Sequence, residues 1–145
     1  VGYASAQEID QWGIIAALRL AGRRALADVA DRGLLPGGVL LDGSHNWLSA
    51  PDDLFGALDG PEDPFGRELP VHMQVKADAS CAVVAAASVL AKVARDHLMQ
   101  GLDDPGYGWA SNKGYGSAAH ARAIGELGVS DYHRRSWKMP TQATK

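Results

Sequence analysis

Apolar residues recur at helical spacing near the start of the chain. Ile9, Trp12, Ile15, Ala16, Leu18, Ala21 and Leu26 fall on or near one face of a helix that should run to about Asp31. Ser5 followed three residues later by Glu8 has the spacing of a capping box, and Gly33 and Pro36 supply the stop. Arg19, Arg23 and Arg24 fall on the polar side. Next, Val39-Leu40-Leu41 is a short apolar run between Gly37-Gly38 and Asp42-Gly43, the pattern of a buried strand with a carboxylate at its end. Residues 44–69 are rich in Pro, Gly and Asp and read as a surface excursion. Alternation resumes at 71–75, where Val71, Met73 and Val75 face His72 and Gln74, and this second strand runs out into Lys76-Ala77-Asp78. An Ala-rich stretch from about 79 to 100 predicts a long helix, with its charged end, Lys92 to Asp96, emerging from the core. Residues 101–116 form a loop with two Gly-Tyr-Gly motifs, and a last helix from about 117 to 127 is closed by Gly128. Helix, strand, strand, helix, helix is an α/β arrangement.

With 145 residues the chain suits one domain, and 46% hydrophobic with 21% charged residues is a globular balance. One cysteine excludes an internal disulfide framework and any multi-cysteine zinc site. No apolar run reaches the roughly 20 residues of a membrane helix, so a soluble, cytoplasmic domain without a membrane partner is expected. The net charge of −3 is unevenly spread: residues 1–75 hold 5 Lys/Arg against 11 Asp/Glu, and residues 76–145 hold 9 against 6. Such an asymmetry either brings metal-binding carboxylates and phosphate-binding cations to one cleft or is ordinary scatter of surface charge.

Asp42 and Asp78 are the two carboxylates delivered at strand ends, where functional groups gather in open α/β sheets. Each either starts a turn or, as a pair, holds a hard cation such as Mg²⁺ or Mn²⁺ that neutralises their repulsion. Lys76 pairs with Asp78, holds a phosphate or is simply solvated, and Lys92, Arg95 and Asp96 can form an internal ion pair. Tyr107 reads as a lid over the core. Tyr115, beside Lys113 and at the mouth of a helix, is the better ligand candidate, with Ser117 a phosphate contact at that helix N-terminus. The five histidines show no metal-ligand spacing and read as structural or exposed, and Cys81 reads as packing in an apolar helix.

The order of these motifs resembles bacterial, and in particular actinobacterial, ribonuclease HII. It is carried by Leu40-Leu41-Asp42-Gly43, Val75-Lys76-Ala77-Asp78-Ala79, Ala85 through Asp96, Gly114-Tyr115-Gly116-Ser117 with His120, and His133-Arg134-Arg135-Ser136-Trp137. The resemblance implies a ribonuclease H-like fold, a mixed sheet with flanking helices, over 1–138, followed by a flexible tail at 139–145. It implies an endoribonuclease that cuts the RNA strand of RNA–DNA hybrids and single ribonucleotides embedded in duplex DNA, using Mg²⁺ or Mn²⁺, and a monomer when full length. On that pattern Asp42 and Asp78 match the third and fourth of four metal-binding carboxylates. Tyr115 matches the tyrosine that packs on the deoxyribose at the RNA–DNA junction. Lys76, Lys92, Lys113, Arg134 and Arg135 become substrate-binding candidates.

The chain departs from the pattern in two places. Ala77 stands where a glycine is usual, which is harmless if φ there is negative. The adjacent Asp-Glu followed by Gly-Arg-Gly, which marks the family's first strand, is not in the sequence; the acidic neighbours are Asp52-Asp53, Glu62-Asp63 and Asp103-Asp104. The chain is therefore expected to be the C-terminal part of such an enzyme without its first strands, exposing an apolar patch where they would pack and possessing too few carboxylates to be active alone. The competing expectation is a non-catalytic nucleic-acid-binding domain, or a pseudo-enzyme that needs a partner segment.

Overall fold

The computed structural model describes residues 1–50 and 60–138; the expected tail at 139–145 lies outside the described residues. The elements are α1 (Ala6–Asp31), β1 (Val39–Asp42), β2 (Val71–Gln74), α2 (Ala77–Ser80), α3 (Ala82–Gly101), α4 (Trp109–Asn112) and α5 (Ala118–Leu127). Among the described residues the sheet has two strands, β1 and β2, which run parallel with Val39 opposite Val71 and Asp42 opposite Gln74. This mixture of helices with a small parallel sheet is an α/β arrangement, consistent with the fold that the resemblance implies.

The capping box at the start of α1 is formed in both directions. Ser5 Oγ accepts the Glu8 amide at 3.1 Å, and Glu8 Oε2 accepts the Ser5 amide at 2.8 Å. The helix is not one smooth rod, because Gly13 adopts φ 79°, ψ 165° and kinks it. That conformation is open to glycine and strained for other residues. The break shifts the phase of the apolar pattern. Ile15 and Leu18, expected on the core face, are exposed, while Ala17, Leu20 and Arg23 turn inward.

The segments flanking the strands are pinned to α1. Leu48 and Phe65 are buried. Arg19 Nε donates to the Ser49 carbonyl at 2.8 Å. The buried Arg23 donates to both Asp63 carboxylate oxygens (3.1 and 2.7 Å), to Glu68 (2.5 Å) and to the Arg67 carbonyl (2.9 Å). The described ends of the expected surface excursion are thus held by two arginines of α1, Arg19 on Ser49 and the Arg23 fork on residues 63–68.

A second packed cluster lies at the other end of the chain. Tyr107 stacks on Trp109 with centroids 5.0 Å apart, and Ile124 joins them, flanked by Met99, Leu102 and Ala123. Tyr107 therefore closes over a core, as its position suggested. Residues 109–112 form the one-turn α4 within what reads as continuous loop; the amides of Gly106 and Tyr107 before it and of Trp109 at its start are gathered by the Asp104 carboxylate.

The expected helix from about 79 to 100 is two helices. Cys81 takes extended backbone (φ −127°, ψ 113°) between α2 and α3, so it is a half-buried junction residue and not part of a helical packing face. The strand before them stops at Gln74, and Asp78 stands in the first turn of α2. α3 carries no buried residue, and Val83, Val89, Leu90 and Val93 leave one apolar face open to solvent. Among the described residues no helix is long and apolar enough to cross a membrane.

Candidate functional site

The C-terminal end of β1 presents Asp42 toward the turn that follows β2. Lys76 takes a left-handed conformation (φ 56°) and reverses the chain into α2. The residue after it, Ala77, is completely buried and lies outside the left-handed region, so its methyl takes the place of a glycine without strain. The Ala77 amide donates to Asp42 Oδ1 at 2.9 Å. Asp42 is thus bonded to the residue directly before Asp78, and both aspartates are exposed. Gln74 Nε2 donates to Ser80 Oγ at 2.6 Å and fastens the far end of α2 to β2. Of the sequence candidates, Asp42, Lys76 and Asp78 fall together here.

The donor set suits a hard cation in part. Asp42 has one oxygen engaged by an amide, and Asp78 takes part in no hydrogen bond or ion pair among the described residues. Carboxylates free on the solvent side are the ligands Mg²⁺ prefers, the rest of its shell being water and phosphate oxygen. Among the described residues no three His, Cys, Asp or Glu side chains converge. Asp42 and Asp78 are thus two candidate acidic ligands on adjoining turns, and among the described residues no third converges with them.

A second group forms around Tyr115. Gly114 (φ 76°) reverses the chain between Lys113 and Tyr115, and a Cβ there would sit 3.0 Å from the Met99 methyl and 3.4 Å from the Arg95 guanidinium. That tight fit brings the loop down onto α3. Arg95 donates to the Lys113 carbonyl at 2.8 Å and lies over the Tyr115 ring at 5.2 Å, a cation–π distance. The exposed Tyr115 ring is thereby backed by a cation. Lys92 pairs with Asp96 at 2.5 Å, which raises the lysine above its ordinary pKa and lowers the carboxyl. Arg95 takes no part in that ion pair. Lys113, itself left-handed (φ 52°), returns its ammonium to the Ala110 carbonyl. Ser117 Oγ caps α5 by accepting the His120 amide at 3.1 Å.

Arg134 and Arg135 are on the segment after α5, where Arg134 lines the same cavity as Arg95, Gly114 and His120. Asp10 of α1 accepts the amides of Arg135 (2.7 Å) and Ser136 (2.9 Å) and so fixes this segment to the first helix. Those bonds, with the Ser136 hydroxyl first among them, hold the Asp10 carboxyl below its usual range. Arg135 pairs with Asp131 at 2.8 Å, and the Arg134 guanidinium stacks on Trp137 at 3.7 Å. No hydrogen bond or ion pair among the described residues joins the Asp42–Asp78 group to the Tyr115 group or to this segment.

Pattern reading missed three features. Arg95 was legible as a cation, but its place over Tyr115 depends on a loop eighteen residues away. Asp10 has no local partner to mark it. His120 and His133, each read as a lone histidine, are buried with their Nε2 atoms 3.2 Å apart. Their thirteen-residue separation carries no periodic signature.

The model of the ribonuclease HII family matches residues 1–140. Ribonuclease HII of Streptomyces coelicolor is 43% identical over 139 residues, covering 94% of this chain and 51% of that protein. The Streptomyces avermitilis enzyme is 42% identical with the same coverage, and that of Roseobacter denitrificans is 40% identical over 140 residues, 95% of this chain and 61% of its own length. The chain spans about half the length of the Streptomyces proteins and matches their C-terminal part. Motif order, fold and these likenesses agree: the chain belongs to the ribonuclease HII family.

Proposed function

We propose that the protein carrying this chain is a divalent-metal-dependent endoribonuclease. Its substrates are RNA–DNA hybrids and duplex DNA with an embedded ribonucleotide, cut 5′ to the ribonucleotide to leave a 3′-hydroxyl and a 5′-phosphate. In this reading it works as a cytoplasmic monomer on nucleic acid, with Mg²⁺ or Mn²⁺. The observation that carries it is the bond between Asp42 and the amide of Ala77, which draws the first aspartate to the neighbour of the second.

In this reading Asp42 and Asp78 hold the ion, the Ala77 amide setting the orientation of the Asp42 carboxylate. A hard cation there supplies charge stabilisation to a phosphodiester undergoing displacement by water. Lys76, held at the same turn, offers its ammonium to a phosphate. Tyr115 offers its open face to the sugar at the RNA–DNA junction while Arg95 supports the other side. Arg134 and Arg135, with Lys92 and Lys113, contribute positive charge along the strand; the Ser117 amide, expected as a phosphate contact, is already given to the Tyr115 carbonyl at 2.8 Å. The 2′-hydroxyl, the one group that distinguishes a ribonucleotide within DNA, is what the site must sense.

The test is cleavage of a duplex containing one ribonucleotide by the complete protein, with Mg²⁺ or with a chelator. Asp42→Asn removes a charge and almost no volume, so cleavage should fall at least about a hundredfold with duplex affinity retained. An unchanged rate would overturn the metal-site assignment. The two-carboxylate donor set also favours a second reading for the 145-residue chain by itself: it binds duplex in a salt-dependent way without cutting. Metal-dependent cleavage by that chain alone would refute this second reading.

A further inference from the structure

Two buried histidines form a hydrogen-bonded chain that ends on the backbone of Tyr115. His133 Nδ1 faces the Ser130 amide at 3.0 Å and the Ser130 hydroxyl at 2.8 Å. His133 Nε2 faces His120 Nε2 at 3.2 Å, and His120 Nδ1 faces the Tyr115 carbonyl at 3.0 Å. An amide can only donate and a carbonyl can only accept. His133 Nδ1 must then be bare, which puts its proton on Nε2. His120 receives that proton's hydrogen bond on a bare Nε2 and donates from Nδ1 to Tyr115. The hydroxyl of Ser130 can turn to either role, so the fixed amide decides. One arrangement of protons satisfies every contact, and in it both rings are neutral.

A further proton cannot be added without breaking the chain. On His120 it would set one N–H against another; on His133 it would oppose the Ser130 amide. Burial, and then His120, hold the His133 pKa below the ordinary histidine value. Among the described residues no acidic side chain hydrogen-bonds to either ring, and Lys138 adds a positive charge to the same cavity. Tyr107 meets both rings edge-on (6.0 and 4.8 Å), and Trp109 lies 6.1 Å from His133. The nearby charges are engaged elsewhere: Arg95 of α3 on Lys113 and Tyr115, Asp104 on loop amides, Asp131 with Arg135, and Glu8 of α1 with Arg24. Arg134 stacks on Trp137. Arg122 and Glu126, on α5 itself, are exposed and hydrogen-bond to neither ring.

We propose that the His120–His133 pair is the positioning device for Tyr115. From one side the pair tethers the backbone of the loop; from the other, Arg95 backs the ring. An added proton breaks the contact between the two rings and unseats His120 beneath the loop, although its Nδ1–H and the Ser117 amide still reach the Tyr115 carbonyl. The role of Tyr115 toward substrate rests on the nuclease reading above; the tautomers and the tether do not.

The experiment has two arms, both on the complete protein. Nitrogen-resolved NMR of the imidazoles at about pH 7.5 should show His133 protonated on Nε2 and His120 on Nδ1, with His133 taking up a further proton only below the ordinary histidine value. The opposite tautomer on either ring, or a charged ring at that pH, overturns the proposal. The second arm is steady-state cleavage of a duplex with one ribonucleotide. His120→Phe keeps the shape and loses both bonds, so KM should rise about fivefold with kcat within about twofold. His120→Asn keeps a donor where Nδ1–H stands and should restore KM, without the increase in KM that the parent shows on acidification. A parent-like KM for His120→Phe, or a parent KM that is flat in pH, overturns it. Should His120→Phe fail to fold, His120→Asn and the NMR arm decide. If the parent does not cut the duplex at all, the nuclease reading fails and takes the substrate role of Tyr115 with it, while the NMR arm still decides the tether.

Discussion

Asp42 Oδ1 lies 2.9 Å from the backbone nitrogen of Ala77, thirty-five residues away, and accepts its hydrogen bond. The same carboxylate is thus a structural clamp and a proposed metal ligand, and the two roles separate by substitution. Asp42→Asn keeps an acceptor oxygen, so urea denaturation should return a parent-like stability despite lost cleavage. Asp42→Ala removes the acceptor and should cost about 1 kcal/mol as well. Equal stability of both variants would mean the clamp contributes nothing.

Arg95 and Tyr115 should behave as a unit. Tyr115→Ala removes the open ring and should weaken cleavage at a ribonucleotide junction about tenfold, more than it weakens affinity for plain duplex. Arg95→Met should give a smaller loss, about threefold, since a cation over a ring at an exposed site is worth about 0.5–1 kcal/mol. Tyr115→Phe keeps the ring and should stay near the parent. Rates on junction and plain-hybrid substrates, compared side by side, check all three.

Arg23 is buried, and its donors are shared among Asp63, Glu68 and the Arg67 carbonyl. Arg23→Lys keeps the charge but cannot reproduce the fork. It should lower the unfolding free energy by about 2 kcal/mol, measured by urea denaturation of the complete protein. An unchanged midpoint would show that the segment at 60–68 holds without it.

Glu8 predicts how the first helix answers to acid. The hydrogen-bonded Arg24 beside it, with the Ser5 amide, outweighs the opposing effect of burial and lowers its pKa from 4.5 to about 2. A carboxyl depressed in the folded state adds stability above its unfolded pKa, and that stability is lost as pH falls through the folded value. The contribution is therefore whole above about pH 4.5 and gone by about pH 2. Glu8→Gln should be less stable near neutrality and should flatten Tm against pH across that window, as thermal scans in graded buffers would show. Parallel curves for parent and variant would contradict the Glu8–Arg24 pairing.

Features made by residues close in sequence were legible in advance. Ser5 and Glu8 cap α1, Ser117 caps α5 and Gly128 closes it, because each needs only neighbours within about one turn. The kink at Gly13 was not legible, since a glycine in a helical pattern is compatible with a smooth helix. Nor was the break at Cys81. Ala-rich sequence on both sides favours helix, and the extended residue between them accompanies the seating of α2 against β1 through Asp42.

The sequence alone determined the order of the longer elements, the two strand candidates, the aspartate that ends the first of them and the family pattern. Periodicity and capping act over a few residues, and motif order survives without any knowledge of contacts. Tertiary structure decided what those residues do to one another. It set Arg95 behind Tyr115, joined His120 to His133 and turned Lys113 back on its own helix. The reason is physical: such contacts depend on where the backbone brings distant segments, and burial, hydrogen-bond direction and charge pairing exist only once that approach has been made.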